Sequence, residues 1–204
     1  MAQVTPARNW PLDYGVACFV LPGNQVSGDI AVVEFHDHGA VLGVIDGLGH
    51  GDTAAVAAEK ARRVIVANAR APIVEIMQRC HQELRLARGV VMSLASIDFV
   101  RQRMDWVGVG NVQALLCHAN RLAVPRQIEL LLRSGVVGIQ LPVLQADSTP
   151  FQENDVLIFA TDGLRRNFAD DLDTSSQALS LAHEILEDHR RGDDDALVLV
   201  ARMK

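Results

Sequence analysis

The stretch Val41-Leu-Gly-Val-Ile-Asp-Gly-Leu-Gly-His-Gly-Asp-Thr53 constrains the fold more than any other part of this sequence. Its first half reads as a buried strand, yet that strand ends in a carboxylate, Asp46, and the chain then passes through Gly47, Gly49 and Gly51 into a helix. Glycines at these positions let the backbone turn sharply and bring carbonyls and amides close to a ligand. A phosphate-cradling loop has the same order of strand, glycines and helix. Here the spacing is G-x-G-x-G, no Gly-Lys-Ser/Thr follows, and Asp46 would repel a phosphate directly. A cation between the two removes that objection.

The same design recurs. Asp155-Val-Leu-Ile-Phe-Ala-Thr-Asp162-Gly163 is a second apolar strand ending in Asp-Gly. Gly192-Asp193-Asp194-Asp195-Ala196 sets three carboxylates before the last apolar run, and Ser27-Gly28-Asp29 opens an early one. A single Asp-Gly is ordinary turn chemistry, and Asp52 and Asp173 read as helix caps. Acids at four strand ends are a different matter. Two carboxylates about 4 Å apart repel by about 4 kcal/mol at an effective dielectric near 20, so a converging set protonates or opens without a counter-ion. An oxygen-only donor set with no nearby histidine except His50 favours Mg²⁺ or Mn²⁺ over Zn²⁺.

Valine-rich runs punctuated by glycine and Asp/Asn predict strands at Tyr14–Val20, Asp29–Phe35, Ala40–Ile45, Val91–Val100, Met104–Val109, Val112–Cys117, Ile128–Leu132, Val156–Ala160 and Ala196–Ala201. Helical period appears from Asp52, in the stripe Ala54, Ala57, Ala58, Ala61, Val64 and Ile65; again from Ile73 to Leu84 after Pro72, with Gly89 as a stop; and from Thr174 to His189. This segregated order predicts mainly antiparallel sheet with helices packed outside. Val41–Ile45 and Val156–Ala160 are expected to be central, neighbouring strands, because their terminal acids must reach one ion. No repeat, linker or charge block divides the chain, so residues 1–204 read as one domain.

Composition removes other classes of function. With 25 acidic against 19 basic residues, a net charge of −6 and 4% aromatics, neither phosphate neutralisation nor base stacking is supplied, so no nucleic-acid partner is expected. The longest stretches free of Asp, Glu, Lys and Arg are fifteen residues, Tyr14–Gly28 and Trp106–Asn120, too short and too polar for a membrane span. Cys18, Cys80 and Cys117 are odd in number and sit in apolar runs, which reads as three small buried hydrophobes in a reducing cytoplasm. Ser93, Ser96 and Ser134 have no positioned histidine to activate them. His36, His38, His81, His118, His183 and His189 show no ligand spacing and read as surface or packing residues.

Ser-Gly-Asp29, Asp46-Gly-Leu-Gly-His-Gly51 before an alanine-rich helix, Gly110-Asn111, Thr161-Asp-Gly163 and Asp194-Asp195 before a final strand together resemble the metal-dependent protein serine/threonine phosphatases (PPM), in their SpoIIE-like bacterial branch. The motifs span about residues 27–200, nearly the whole chain. The resemblance implies an α+β fold, an αββα sandwich of two mainly antiparallel sheets flanked by helices, with a binuclear Mn²⁺ or Mg²⁺ centre between the sheets. The short length and Gly108-Val-Gly-Asn-Val112 are most similar to the RsbX-like stressosome phosphatases of that branch. No sensory or membrane region is expected beside the catalytic domain. The implied partner is a phosphorylated stressosome-type scaffold or anti-anti-sigma-like protein.

Carried over by position, Asp46 resembles the carboxylate that bridges the two metals and Gly47 the backbone carbonyl on one of them. Asp162 and Asp194 resemble the remaining ligands of the other, Asp29 the acid that holds metal-bound water, and Asp195 stands beside the last ligand. His50 either protonates the leaving oxygen or orients the turn. Leu197 stands where a threonine often follows, and an N-terminal phosphate-gripping arginine is missing. The implied reaction is hydrolysis of phosphoserine or phosphothreonine by water activated between two cations. Arg165 and Arg166 read either as a docking pair for the substrate protein or as a solvated basic pair. The rival reading is a catalytically silent PPM-like module that binds a phosphoprotein without turning it over.

Overall fold

Side chains along Gly39–Gly47 alternate between two apolar environments: Leu42 and Val44 enter one buried cluster, Val41 and Ile45 another. A strand apolar on both faces needs cover on both. The computed structural model, which describes residues 10–49, 51–120, 122–170 and 172–204, shows what supplies that cover. In chain order the elements are β1 (Leu12–Phe19), β2 (Asp29–His36), β3 (Gly39–Gly47), α1 (Asp52–Ala67), α2 (Ile73–Leu84), β4 (Val90–Asp98), β5 (Arg103–Val109) and β6 (Gln113–Cys117). There follow β7 (Gln127–Glu129), β8 (Leu132–Arg133), β9 (Asp147–Pro150), β10 (Val156–Ala160), a 3₁₀ turn at Arg166–Ala169, α3 (Ala178–His189) and β11 (Ala196–Met203).

Two sheets result, one in the order β1-β11-β10-β6-β7 and one in the order β2-β3-β4-β5-β8, with β9 also pairing β5. All pairings are antiparallel except β5 with β8. Leu42, Val44 and Trp106 from one sheet meet Leu157, Phe159 and Leu199 from the other in the central core. On the outer face of the second sheet, Val41, Ile45 and Met92 pack under α1 and α2. On the outer face of the first, Ile158, Val198 and Val200 pack under α3. These layers form the αββα sandwich that the family resemblance implies.

The alanine stripe does its packing at close range. Ala54, Ala57, Ala58, Ala61 and Ile65 are buried, and a Cβ on Gly47 would lie 2.3 Å from the Ala54 carbonyl oxygen, so the start of α1 rests directly on the end of β3. On α2, Ile76, Met77 and Leu84 are fully buried, each stabilising by about 1.5–3 kcal/mol.

Several expectations need correction. β3 and β10 are not neighbours: they lie in opposite sheets and meet only through the core between them. The predicted strand Ile128–Leu132 is split, β7 joining one sheet and β8 the other. The polar segment Asp147–Pro150 forms an edge strand that no alternation announced. Helix α3 starts at Ala178 rather than Thr174, because Asp173 is used by Ser175, whose backbone N–H and hydroxyl both donate to its carboxylate at 3.0 Å. Asp52 is the first residue of α1 behind Gly51 at the N-cap, where its charge acts on the helix dipole. Helix α2 ends at Leu84, ahead of Gly89, whose missing side chain makes room for Val136. Cys80 and Cys117 are buried, which pushes their thiols up to about 12 and about 11, whereas Cys18 is exposed on edge strand β1.

Candidate functional site

Strand parity delivers the acids. On β2, Ala31 and Val33 pack against the central core, and on β3 Leu42 and Val44 do, so Asp29 and Asp46 continue the same inward face one pleat further. They are also register partners across β2 and β3. From the opposing sheet, Thr161 follows Leu157 and Phe159, and Asp195 precedes Leu197 and Leu199, again on the inward face. Four polar side chains thereby close one end of the inter-sheet core.

Hydrogen bonds fix them. The Thr161 hydroxyl donates to Asp29 Oδ2 at 2.8 Å and accepts from the Leu197 N–H at 2.9 Å. Asp195 accepts from the Leu21 N–H at 2.8 Å and the Gly28 N–H at 2.9 Å, and so ties the β1–β2 connection to the start of β11. The Asn111 amide donates to Asp162 Oδ2 at 2.7 Å, and the Asp195 N–H donates to Asp194 Oδ1 at 2.8 Å. A cleft of about 450 Å³ opens here, lined among others by Asp46, Gly49, Asn111, Ser134, Asp162 and Asp194.

The electrostatics follow from this crowding. Burial, and then the charges of Asp29, Asp162, Asp194 and Asp195, push Asp46 from 3.8 up to about 8. Burial also raises Asp29 to about 7, against the opposing Thr161 hydroxyl bond and with help from Asp195, Asp162 and Asp194. Asp162 is raised by burial and by Asp194, with Arg191 pulling the other way. Directly opposed like charges on a sheet are destabilising. In kind and in position these oxygen donors fit a hard divalent cation, which would offset their repulsion. Among the described residues, no three His, Cys, Asp or Glu side chains are gathered tightly enough to hold one ion as they stand. The carboxylates therefore face one cleft without forming a closed coordination shell.

Asp46, Asp162 and Asp194 line the cleft, and Asp29 stands opposite Asp46 at its inner end. Asp195 is buried and bonded to backbone, and Gly47 is packed under Ala54. His50 lies outside the described residues. Arg165 is exposed, and Arg166 lines a separate small cavity with Glu129 and Phe168 on the β6–β7 flank. Sequence reasoning gave no role to Thr161 or Asn111, although both stand inside quoted motifs, and it overlooked Arg191 and Arg88. Arg191 donates to the Asp162 carbonyl at 3.4 Å and to Asp193 at 2.8 Å. Arg88 donates to the Leu48 carbonyl at 3.2 Å. Arg191 directly precedes the Gly192-Asp193-Asp194-Asp195 run, but its contact with Asp162 spans 29 residues and that of Arg88 with Leu48 spans 40, so no local pattern marks either role.

Comparison with known proteins agrees with this architecture. Residues 36–204 match the family described as Stage II sporulation protein E (SpoIIE). The phosphoserine phosphatase RsbX of Bacillus subtilis (strain 168) is 28% identical over 94 residues, 46% of this chain and 47% of that protein, so the match spans about half the length of this curated relative. A chain solved in work on the bacterial stressosome, as a modular system adapted to control secondary messenger signaling, is 30% identical with a TM-score of 0.84, over 94% of this chain and 99% of that one. A crystal structure of RsbX in complex with magnesium has a TM-score of 0.83 at 19% identity, over 95% of this chain and 96% of that one, a likeness of fold.

Proposed function

Because the chain belongs to the SpoIIE family, within the PPM phosphatases, we propose that it is a Mg²⁺- or Mn²⁺-dependent protein phosphatase that hydrolyses phosphoserine and phosphothreonine on a stressosome-type scaffold or anti-anti-sigma-like protein. One observation carries the reading: Asp29 and Asp46 stand opposite each other at the end of the core, beside a cleft lined by Asp162 and Asp194. The relative named as a phosphoserine phosphatase, and the related structures solved with magnesium and from the stressosome, support it. We take residues 1–204 as one catalytic unit acting in the cytoplasm. Among the described residues no helix is long and apolar enough to cross a membrane.

In this reading Asp46, Asp162, Asp194, Asp29 and the Gly47 carbonyl hold a binuclear centre. When bound, divalent cations would lower the pKa of a water toward neutrality and offset charge on the phosphoryl group. The chain's own residues prepare that chemistry. Thr161 holds Asp29 through its hydroxyl, Asn111 orients Asp162, and Asp195 keeps the Gly28 segment against the site. The cleft is open and poor in aromatic side chains, which suits a phosphate displayed on a protein surface better than an enclosed metabolite. His50 either protonates the leaving serine or threonine oxygen or orients the turn.

Phosphate release from a phosphorylated scaffold protein tests the proposal. Release is expected to stop in excess chelator, to return with Mn²⁺ or Mg²⁺, and to be faster on the folded protein than on the matching phosphopeptide, with phosphotyrosine poor. Hydrolysis that persists in chelator overturns the metal-dependent reading. A phosphoprotein that binds with metal present but loses no phosphate identifies the silent module instead.

A further inference from the structure

We propose that Arg88 grips the phosphoryl oxygens of the substrate, an inference that rests on the phosphatase reading above. A phosphoryl group carries about −1.5 to −2 charges at neutral pH, and a protein cation at the rim of the cleft would add to the pull of the proposed metal centre on its outer oxygens. Among the described residues, two arginines donate a guanidinium hydrogen bond to residues of the cleft wall, Arg88 to Leu48 and Arg191 to Asp162. Arg191 is engaged, with one arm on Asp193 at 2.8 Å and the other on the Asp162 carbonyl. Arg88 is not paired with any acid among the described residues. Its single hydrogen bond, Nη1 to the Leu48 carbonyl at 3.2 Å, leaves four of its five N–H donors for a ligand.

Its position is built in from both sides. The Leu48 N–H donates to the Gly89 carbonyl at 3.1 Å, so the backbone beside Arg88 is stitched to the same residue that receives its guanidinium. Gly49 has φ +89°, and a Cβ there would stand 2.6 Å from Arg88 Nη1, so the guanidinium lies in the space a side chain at 49 would fill. Leu48 and Gly49 line the cleft together with Asp46, Asp162 and Asp194. A planar, always-charged fork held there matches the oxygens of a phosphoryl group in shape as well as sign. The competing role is purely structural: Arg88 would only clamp the glycine-rich turn through Leu48.

Wild type, Arg88→Ala and Arg88→Lys separate the two. The measurements are the KM and kcat for a small phosphate ester, inhibition by inorganic phosphate, calorimetric binding of inorganic phosphate, and the melting temperature with and without Mn²⁺. A grip predicts that Arg88→Ala raises the KM and weakens phosphate inhibition in parallel, by about tenfold or more. The lysine variant falls between, keeping the charge without the fork, and the melting temperature and its response to Mn²⁺ stay at wild-type values. Unchanged phosphate affinity in Arg88→Ala overturns the proposal. So does a loss accompanied by a lower melting temperature and a blunted Mn²⁺ response, which assigns Arg88 to the clamp. If wild type hydrolyses nothing, it is the phosphatase reading that fails, and calorimetric phosphate binding equal in wild type and Arg88→Ala then defeats the grip as well.

Discussion

Asp155 and Asp29 are both buried carboxylates, 3% and 8% exposed, at opposite ends of the same sandwich, and the fold treats them oppositely. Asp155 precedes β10 and is satisfied: it accepts from the Ala119 and Gln152 N–H groups at 2.9 Å and faces His118 Nδ1 at 3.1 Å. Around it, at the same end, acids meet bases in exposed pairs such as Arg101 with Asp98 and Arg70 with Asp37, contacts worth little individually. Asp29 has one hydroxyl donor and a field of like charges from Asp195, Asp162 and Asp194. A carboxylate at a strand end is thus uninformative until its donors are counted. Where donors suffice, the group is structural. Where acids accumulate without them, the fold holds an unmet demand for positive charge.

Exchanging the charge at each end breaks or sharpens this contrast most strongly. Asp46→Asn is expected to cut phosphate release by roughly a thousandfold or more, the scale of several kcal/mol of lost electrostatic stabilisation. It should leave the metal-free melting temperature unchanged or higher, since it removes a crowded, buried carboxyl that the fold must hold either charged or protonated at a cost. Asp155→Asn should do the reverse, keeping turnover while losing about 1–3 kcal/mol of stability, at about 2–4 °C per kcal/mol for a chain of this size. Initial rates and thermal melts of the two variants check this. Equal loss of turnover in both would erase the distinction between the ends.

The pH dependence is the next largest effect. Because Asp46 and Asp29 titrate near 8 and near 7 in the folded chain, against an ordinary 3.8, the folded state keeps protons that the unfolded chain releases. The contribution of these two carboxyls to metal-free stability is therefore least unfavourable below about pH 4, turns increasingly unfavourable as pH rises toward about 8, and flattens beyond. Divalent cation should reverse the trend, since it competes with those protons and binds better as they leave. Melting curves between pH 5 and 8, with chelator and with Mn²⁺, test this; a metal-free melting temperature that climbs across that window contradicts the crowding at the acid end. The smallest effect concerns substrate docking, for which we propose the exposed pair after Asp162. Arg165→Ala with Arg166→Ala should slow a phosphoprotein substrate a few fold in kcat/KM and leave a small ester untouched. Equal loss on both substrates would move the pair into the reacting site.

Much of this was legible in the sequence, for a physical reason. Apolar strands that end in Asp, as at Asp46 and Asp162, announce themselves locally, and so does the alanine stripe of α1, because both are patterns within one element. What the pattern could not say was how elements meet. That β3 and β10 face each other across the core, rather than lying side by side, is a property of sheet order. Asp173 has the composition of a cap, but its carboxylate is taken by Ser175. Thr161 and Asn111 were in view without roles, since their partners Asp29 and Asp162 lie 132 and 51 residues away. Arg88 is further from notice still, one arginine on an exposed turn whose placement depends on Leu48, 40 residues earlier.

The central claim is that one end of the sandwich is a cation site and the other is not. Paramagnetic broadening by substoichiometric Mn²⁺, read on the backbone amides of isotopically labelled protein, tests it residue by residue. The account predicts that the amides of Asp29, Gly47, Gly163 and Asp195 vanish first, that those of Asp98, Ala119 and Asp155 keep their intensity, and that Asp46→Asn abolishes the selectivity. Broadening that begins at Asp98 or Asp155, or that spreads evenly over both ends, would contradict it.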